Sequence, residues 1–195
     1  MMPTTKERLF NAGADRFHEL GYSGCSVQDI VDQAGVPKAT FYNHFKTKET
    51  FAVEVVTNYI ASTRRDILKD RGVSPLNRIA QHFSHLLESH ERNRYNRGCL
   101  IVNLTAETSD SVPLLRDTLN ASLTEWIDVL ADTIREGQRS GEVNTKHEPD
   151  KLSRFLIDGY EGALLRMKLT NTKHPLENFY SIAMSLLAAS QLNAK

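Results

Sequence analysis

The sequence predicts an all-α protein in which a small N-terminal head precedes a larger helical body. Apolar residues recur at spacings of three and four along most of the 195 residues, which is the period of amphipathic helices. No hairpin signal or internal repeat interrupts this pattern. Residues 26–45 combine two short helical segments with a tight turn, the arrangement of a helix-turn-helix. These features divide the chain into a three-helix head over 1–47, a linking helix over 48–72 and a body over 73–195.

The head opens with a predicted helix from Thr4 to about Leu20. Its apolar residues share one side and are Leu9, Phe10, Ala14, Phe17 and Leu20. The sequence Gly-Tyr-Ser-Gly over 21–24 then breaks the helix, because glycine favours turns over helix interiors.

The helix-turn-helix is indicated by residues that begin and end helices. Ser26 precedes an apolar rhythm and has an acid, Asp29, three residues on, which is the pattern of a capping box. Gly35 can adopt the left-handed conformation that ends a helix. Pro37 suits the first position of the next helix, where its missing N–H costs nothing. We therefore expect a second short helix from Pro37 to about Phe45.

This second helix is polar on one side and apolar on the other. Phe41 and Phe45, four residues apart, supply its buried side. The other side offers hydroxyl, amide, imidazole and ammonium groups, which read base edges and bind phosphates in a major groove. These groups belong to Lys38, Thr40, Tyr42, Asn43, His44 and Lys46. The alternative is a pair of amphipathic helices in an ordinary α domain that binds no DNA.

The rest of the chain is also predicted to be helical. Thr47 is predicted to cap the linking helix, which we expect to run to about Arg71. In the body, apolar stripes predict helices over about 76–92, 99–107, 115–134, 149–169 and 175–192. A polar connector is expected over 137–147.

Composition restricts the possible classes of protein. The chain has 24 basic and 24 acidic residues, so any nucleic-acid binding must depend on a local basic patch. There is no apolar run long enough to span a membrane and no secretion signal, which predicts a cytoplasmic protein. The two cysteines, at positions 25 and 99, are then expected to be reduced and to form no disulfide. No cofactor and no metal site are predicted.

Residues 35–49, GVPKATFYNHFKTKE, resemble the N-terminal signature of the TetR family of bacterial transcriptional repressors. The matching residues upstream are Ala12, Gly13, Phe17, Gly21, Tyr22, Ser26, Ile30 and Ala34. The resemblance is dense over about the first 55 residues and extends beyond them only in helical layout. It implies a homodimer that binds double-stranded operator DNA and is released by an effector. Two heads that meet successive major grooves predict a palindromic operator.

The family pattern also implies which residues contact DNA. Ser26 would bind phosphate at the N-terminus of the first short helix, and Gln28 would reach a base or a phosphate. On the second helix, Lys38, Ala39, Thr40 and Asn43 would face the groove while Tyr42 and His44 bind the flanking phosphates. Lys48 matches the phosphate-binding lysine of the family. For each of these residues the alternative is packing or simple exposure to solvent.

The last two predicted helices carry small residues beside large ones, which allows close helix packing. These small residues are Gly159, Gly162, Ala163, Ala183, Ala188 and Ala189. The resemblance implies that the two helices form the homodimer interface. Packing on their own body is the alternative.

Cys99 is the candidate sensor residue. It follows Gly98 at a predicted helix N-terminus, and three arginines precede it at positions 92, 94 and 97. Both features lower a thiol pKa and raise its reactivity. The sequence Gly-Cys-Leu at 98–100, with Leu104 and Ala-Glu at 106–107, resembles a subgroup of the family typified by the repressor of N-ethylmaleimide reductase, which senses electrophiles or oxidants through cysteine. The resemblance extends to Lys168 and to the string PLEN at 175–178. Lys168 is a candidate for holding the thiolate; an inert buried cysteine is the alternative.

Three other functional hypotheses stay open at this point. A reversible small-molecule effector could bind an apolar pocket lined by Leu100, Leu104, Leu123, Trp126, Phe155 and Tyr160, although each of these could be core. An enzyme is disfavoured because no nucleophile motif, phosphate loop or zinc motif is present. His82, His85 and His90 could in principle bind a metal, but we expect exposed helix histidines. A protein-interaction module with a degenerate helix-turn-helix is the third hypothesis.

Overall fold

The computed structural model describes residues 3–92, 94–108 and 112–189, and these residues are mainly helical. They form nine α-helices and a short 3-10 helix, Arg65–Lys69, which follows α4. The α-helices are α1 Thr5–Gly24, α2 Val27–Ala34, α3 Lys38–His44, α4 Lys48–Ser62, α5 Pro75–Arg92, α6 Leu100–Thr108, α7 Pro113–Ser140, α8 Pro149–Thr170 and α9 His174–Leu187. The predicted all-α fold is confirmed.

The described residues form two compact units. The first unit comprises the described residues within Met1–Ser62 and Arg97–Ser122, so that α6 and the start of α7 pack with α1 to α4. The second unit comprises the described residues within Thr63–Asn96 and Leu123–Lys195.

Polar contacts fix both ends of α1. Thr4 and Glu7 form a reciprocal capping box at its start. Near its end Gly21 has a φ of 71°, which kinks the helix. A larger residue at Gly21 would be strained by this positive φ, and its Cβ would displace the Glu107 carboxylate on α6. The same carboxylate accepts a hydrogen bond from the Ser23 backbone N–H at 3.2 Å.

The first helix of the helix-turn-helix, α2, has the ends that the sequence predicts. Ser26 caps α2 and forms the capping box with Asp29, and Gly35 ends α2 in the left-handed conformation. Pro37 lies one position earlier than expected, as the residue that precedes α3. Phe41 and Phe45 are buried, and their rings lie 5.1 and 4.8 Å from the ring of Phe51 on α4. An aromatic core therefore holds α3 against α4.

The linking helix is shorter than predicted. It was expected to continue to about Arg71, but α4 ends at Ser62 and Arg64 is left-handed with a φ of 53°. The apolar stripe lapses between Ile60 and Ile67. The Ser62 hydroxyl also bonds to the Tyr59 carbonyl at 2.6 Å, a local contact that competes with helix continuation.

In the second unit, a buried arginine connects three elements. Arg78 on α5 donates a hydrogen bond to the Leu68 carbonyl of the 3-10 helix at 2.9 Å and pairs with Glu136 on α7 at 2.7 Å. The helix α7 continues past the expected break at Gly137 as far as Ser140. None of the described helices is long and apolar enough to cross a bilayer.

Candidate nucleic-acid interface and regulatory residues

The outward side of α3 carries the predicted groove-facing side chains. Lys38, Ala39, Asn43 and His44 are exposed, Thr40 is half-buried, and Tyr42 is 52% exposed although it is a large aromatic residue. The opposite side is anchored by Phe41, whose ring meets that of Tyr42 edge-on at 5.4 Å. A helix of two turns thus presents one continuous polar and aromatic surface outward.

Two further predicted contacts lie at the start of α2. Ser26 is exposed, and its hydroxyl and backbone N–H both bond to the Asp29 carboxylate, at 2.6 and 2.7 Å. These bonds lower the pKa of Asp29. The Gln28 amide donates to Asp32 at 2.8 Å. Both predicted residues are on the surface, and both currently use their side chains within α2.

Lys48 is placed differently from a free phosphate-binding lysine. Its ammonium donates to the Tyr22 carbonyl at 2.8 Å and to the Cys25 carbonyl at 2.9 Å. The same nitrogen lies 4.1 Å from the centroid of the Tyr22 ring. The side chain is half-buried and its charged group points into the head.

Arg8 is a residue of this region that sequence reasoning missed. Its Nη2 donates to the Ala34 carbonyl at 2.5 Å and to the Gly35 carbonyl at 3.0 Å. These two carbonyls are at the C-terminal end of α2, 26 and 27 residues away in sequence. No local pattern signals such a contact, because any residue type supplies a carbonyl.

Cys99 immediately precedes α6 and its carbonyl accepts the first helical bond, from Asn103 N–H at 3.0 Å. The residue is only 6% exposed, and it forms no disulfide. Arg97, expected to raise the local positive potential, pairs with Asp15 on α1 at 2.6 Å. Of the expected electrostatic influences, the helix N-terminus is therefore present and the Arg97 charge is compensated, while Arg92 and Arg94 belong to the second unit.

Lys168 and the predicted apolar pocket are not gathered around Cys99 within one unit. Lys168 lies in the last turn of α8, in the second unit, whereas Cys99 belongs to the first. The six pocket residues are divided likewise, with Leu100 and Leu104 in the first unit. Phe155 was expected to line an interior pocket, but it is 60% exposed.

The histidines expected to be exposed are partly buried, which corrects that prediction. His82 and His90 share the inner face of α5 with Ile79, Phe83 and Leu86. Trp126 Nε1 donates to His82 Nε2 at 2.9 Å, and His90 bonds to the Tyr160 hydroxyl at 2.9 Å. Because an indole N–H can only donate, His82 is neutral with its proton on Nδ1. Burial lowers the pKa of His82 to about 4.

The last two helices present an apolar face to solvent. Seven large apolar or aromatic residues are exposed in the described part of the chain, and four of them lie on α8 and α9: Phe155, Leu165, Leu169 and Ile182. A groove of about 550 Å³ runs between the two helices, past Gly159 and Ala183. A Cβ at Gly162, which is also exposed, would meet no atom within 4 Å.

Two family models match the chain. Residues 9–55 match the model described as bacterial regulatory proteins, tetR family. Residues 75–183 match the model described as tetracyclin repressor-like, C-terminal domain. The first match contains the helix-turn-helix and the second contains α5 to most of α9.

Individual proteins match over nearly the whole chain. The HTH-type transcriptional repressor DhaR of Mycobacterium sp. (strain GP1) is 35% identical, covering 96% of this chain and 94% of its own. The crystal structure of regulatory protein TetR from Rhodobacter sphaeroides is 32% identical with a TM-score of 0.85, covering 93% of this chain and 97% of its own. The crystal structure of E. coli NemR in its reduced form is 26% identical with a TM-score of 0.83, covering 96% and 99%.

Proposed function

This chain belongs to the TetR family of DNA-binding transcriptional repressors and is not an enzyme, and we propose that it acts as a homodimer on a palindromic operator. One observation carries the proposal: the polar face of α3 is outward while its apolar face is locked into an aromatic core. A short helix held in this way can enter a major groove without losing its own packing. The repressor acts where the DNA is, in the cytoplasm.

The proposed DNA contacts divide by chemistry. Lys38, Thr40 and Asn43, with the small Ala39 between them, face the base edges, since amide and hydroxyl groups bond to bases and an alanine methyl allows close approach. Tyr42 and His44 bond to the phosphates on either side. Ser26 and Gln28 contact the phosphate backbone of the DNA from the N-terminal end of α2, where helix amides favour anions.

Replacement of Tyr42 by alanine tests this interface. The duplex is one selected by the wild-type protein from a randomised pool, and the readout is its dissociation constant at fixed salt. Loss of a phosphate bond and of the aromatic contact is expected to weaken binding by about tenfold or more. Leu20→Ala is the matched control, because Leu20 is 44% exposed in the same unit but on α1. Unchanged binding by Tyr42→Ala contradicts the proposed interface.

The proposed dimer forms through the exposed apolar face of α8 and α9. Phe155, Leu169 and Ile182 would leave water when a second copy packs against them, which is the dominant favourable term in association. Gly159 and Gly162 allow the close approach of helices that such an interface requires. A two-fold axis between the copies would present two α3 helices to one side of the DNA.

For the signal, we propose that Cys99 adds to electrophilic alkenes. Its sulfur would bond to the β-carbon while the thiol proton ends on the α-carbon, so that no oxidant is needed. Since Cys99 is buried at the start of α6, an adduct must displace its neighbours. The helix α6 is tied to α1 through Arg97–Asp15 and through Glu107, so such a displacement would reach the head.

A reversible apolar ligand is the rival effector. It would bind beside the aromatic residues Trp126 and Tyr160, whose ring centroids are 5.8 Å apart in the second unit. Release of DNA by an unreactive compound, with Cys99→Ser responding as the wild type does, would favour this rival over the thiol.

A further inference from the structure

Two cations from outside the helix-turn-helix bind the two ends of α2. Lys48, at the start of α4, bonds to the carbonyl of Cys25, the residue directly before the Ser26 cap. Arg8, on α1, bonds to the carbonyls of Ala34 and Gly35, where α2 ends. Thus α2 is held at its N-terminal end by Lys48 of α4 and at its C-terminal end by Arg8 of α1.

The chemistry of each contact suits a positional role. The last carbonyls of a helix carry partial negative charge and have no partner within the helix, so a cation there is favourable. An ammonium has three donors. Two of those of Lys48 are directed to carbonyls, and the Tyr22 ring covers the nitrogen at 4.1 Å. A phosphate could reach this ammonium only by replacing one of these partners.

We propose that Lys48 and Arg8 are positioning residues for DNA recognition, which fix α2 and, through the Gly35 turn, the angle at which α3 enters the groove. Groups that read base edges must be held within about half an ångström to keep their bonds. The aromatic core holds α3 against α4, whereas the two cations hold the two ends of α2. The inference rests on the proposed contact between α3 and DNA, and it assigns to Lys48 a role other than phosphate binding.

The salt dependence of binding separates the two roles of Lys48. A lysine that neutralises a phosphate contributes about 0.9 to the slope of log affinity against log salt. A positioning lysine contributes nothing to this slope but is needed for the specific complex. The test uses Lys48→Met, with the selected duplex, a scrambled duplex of equal length and composition, and a series of salt concentrations.

We expect Lys48→Met to bind the selected duplex about tenfold more weakly, as the loss of charged hydrogen bonds implies. Binding to the scrambled duplex and the salt slope should stay at the wild-type values. Arg8→Met should behave in the same way. Wild-type affinity for the selected duplex in either variant, or a slope lowered by about one, overturns the inference.

Lys38→Met is the matched comparison, since Lys38 is exposed at the start of α3. In the proposed complex Lys38 faces the base edges, and its charge lies between the two phosphate chains. Lys38→Met should therefore weaken binding to the selected duplex more than to the scrambled one and should also lower the slope. If Lys38→Met and Tyr42→Ala both bind the selected duplex as the wild type does, the proposed contact of α3 fails, whatever Lys48 does.

Urea unfolding of each variant shows whether the head remains folded. If Lys48→Met does not fold, Lys48→Arg decides the question. Arginine keeps the charge but replaces the compact ammonium with a planar fork. We expect weak specific binding with an unchanged slope, whereas a phosphate contact would survive this substitution and restore wild-type affinity.

Discussion

Ile182→Ala should loosen the proposed dimer by a calculable amount. Ile182 is 54% exposed on α9 and lies on the groove between α8 and α9. The substitution removes three carbons, each worth about 0.8 kcal/mol when buried. Scaling by the exposed fraction gives about 1.3 kcal/mol for each copy, and a two-fold interface doubles this. The dimer dissociation constant should therefore rise by about seventyfold.

Sedimentation velocity over a concentration series measures this constant. Leu114→Ala is the control, because Leu114 is 47% exposed but lies on α7, which is not one of the two helices of the proposed interface. It should leave the constant unchanged. An unaltered monomer–dimer equilibrium in Ile182→Ala, or an equal effect of Leu114→Ala, refutes the assignment of this face.

Two further predictions concern pH and the signal. The His82 pKa falls from 6.5 in the unfolded chain to about 4 in the folded protein, so the free energy of unfolding is highest above pH 6.5 and decreases as the pH falls toward 4, by about 2 kcal/mol at pH 5. Urea unfolding should show this loss of stability in the wild type and not in His82→Gln. Equal pH profiles of the two proteins would contradict the prediction. A maleimide should release DNA from the wild type and from Cys25→Ser but not from Cys99→Ser, because burial raises the Cys25 pKa to about 11 and so suppresses its thiolate. Mass spectrometry of the adducts identifies the modified cysteine. Release of DNA from Cys99→Ser would refute the proposed sensor role of Cys99.

Features set by neighbouring residues could be predicted from the sequence. The capping box at Ser26, the left-handed Gly35 and the buried pair Phe41 and Phe45 all depend on spacings of three or four residues. For this reason the helix-turn-helix and its outward face were predictable in detail.

Features set by distant partners could not be predicted. The contacts of Arg8 and Lys48 depend on backbone carbonyls more than 20 residues away, which carry no sequence signal. The burial of His82 could not be predicted, because its partner Trp126 lies on another helix. The end of α4 at Ser62 was also missed, since side-chain bonds and a lapse in apolar spacing outweighed the expected continuation.

A hydroxyl-radical footprint of the wild-type protein on its selected duplex tests the central claim most directly. Two copies of α3 in successive major grooves should protect two blocks on one side of the DNA, related by a dyad and centred about one helical turn or slightly more apart. A single protected block, or protection without two-fold symmetry, would contradict a dimer that reads DNA through α3.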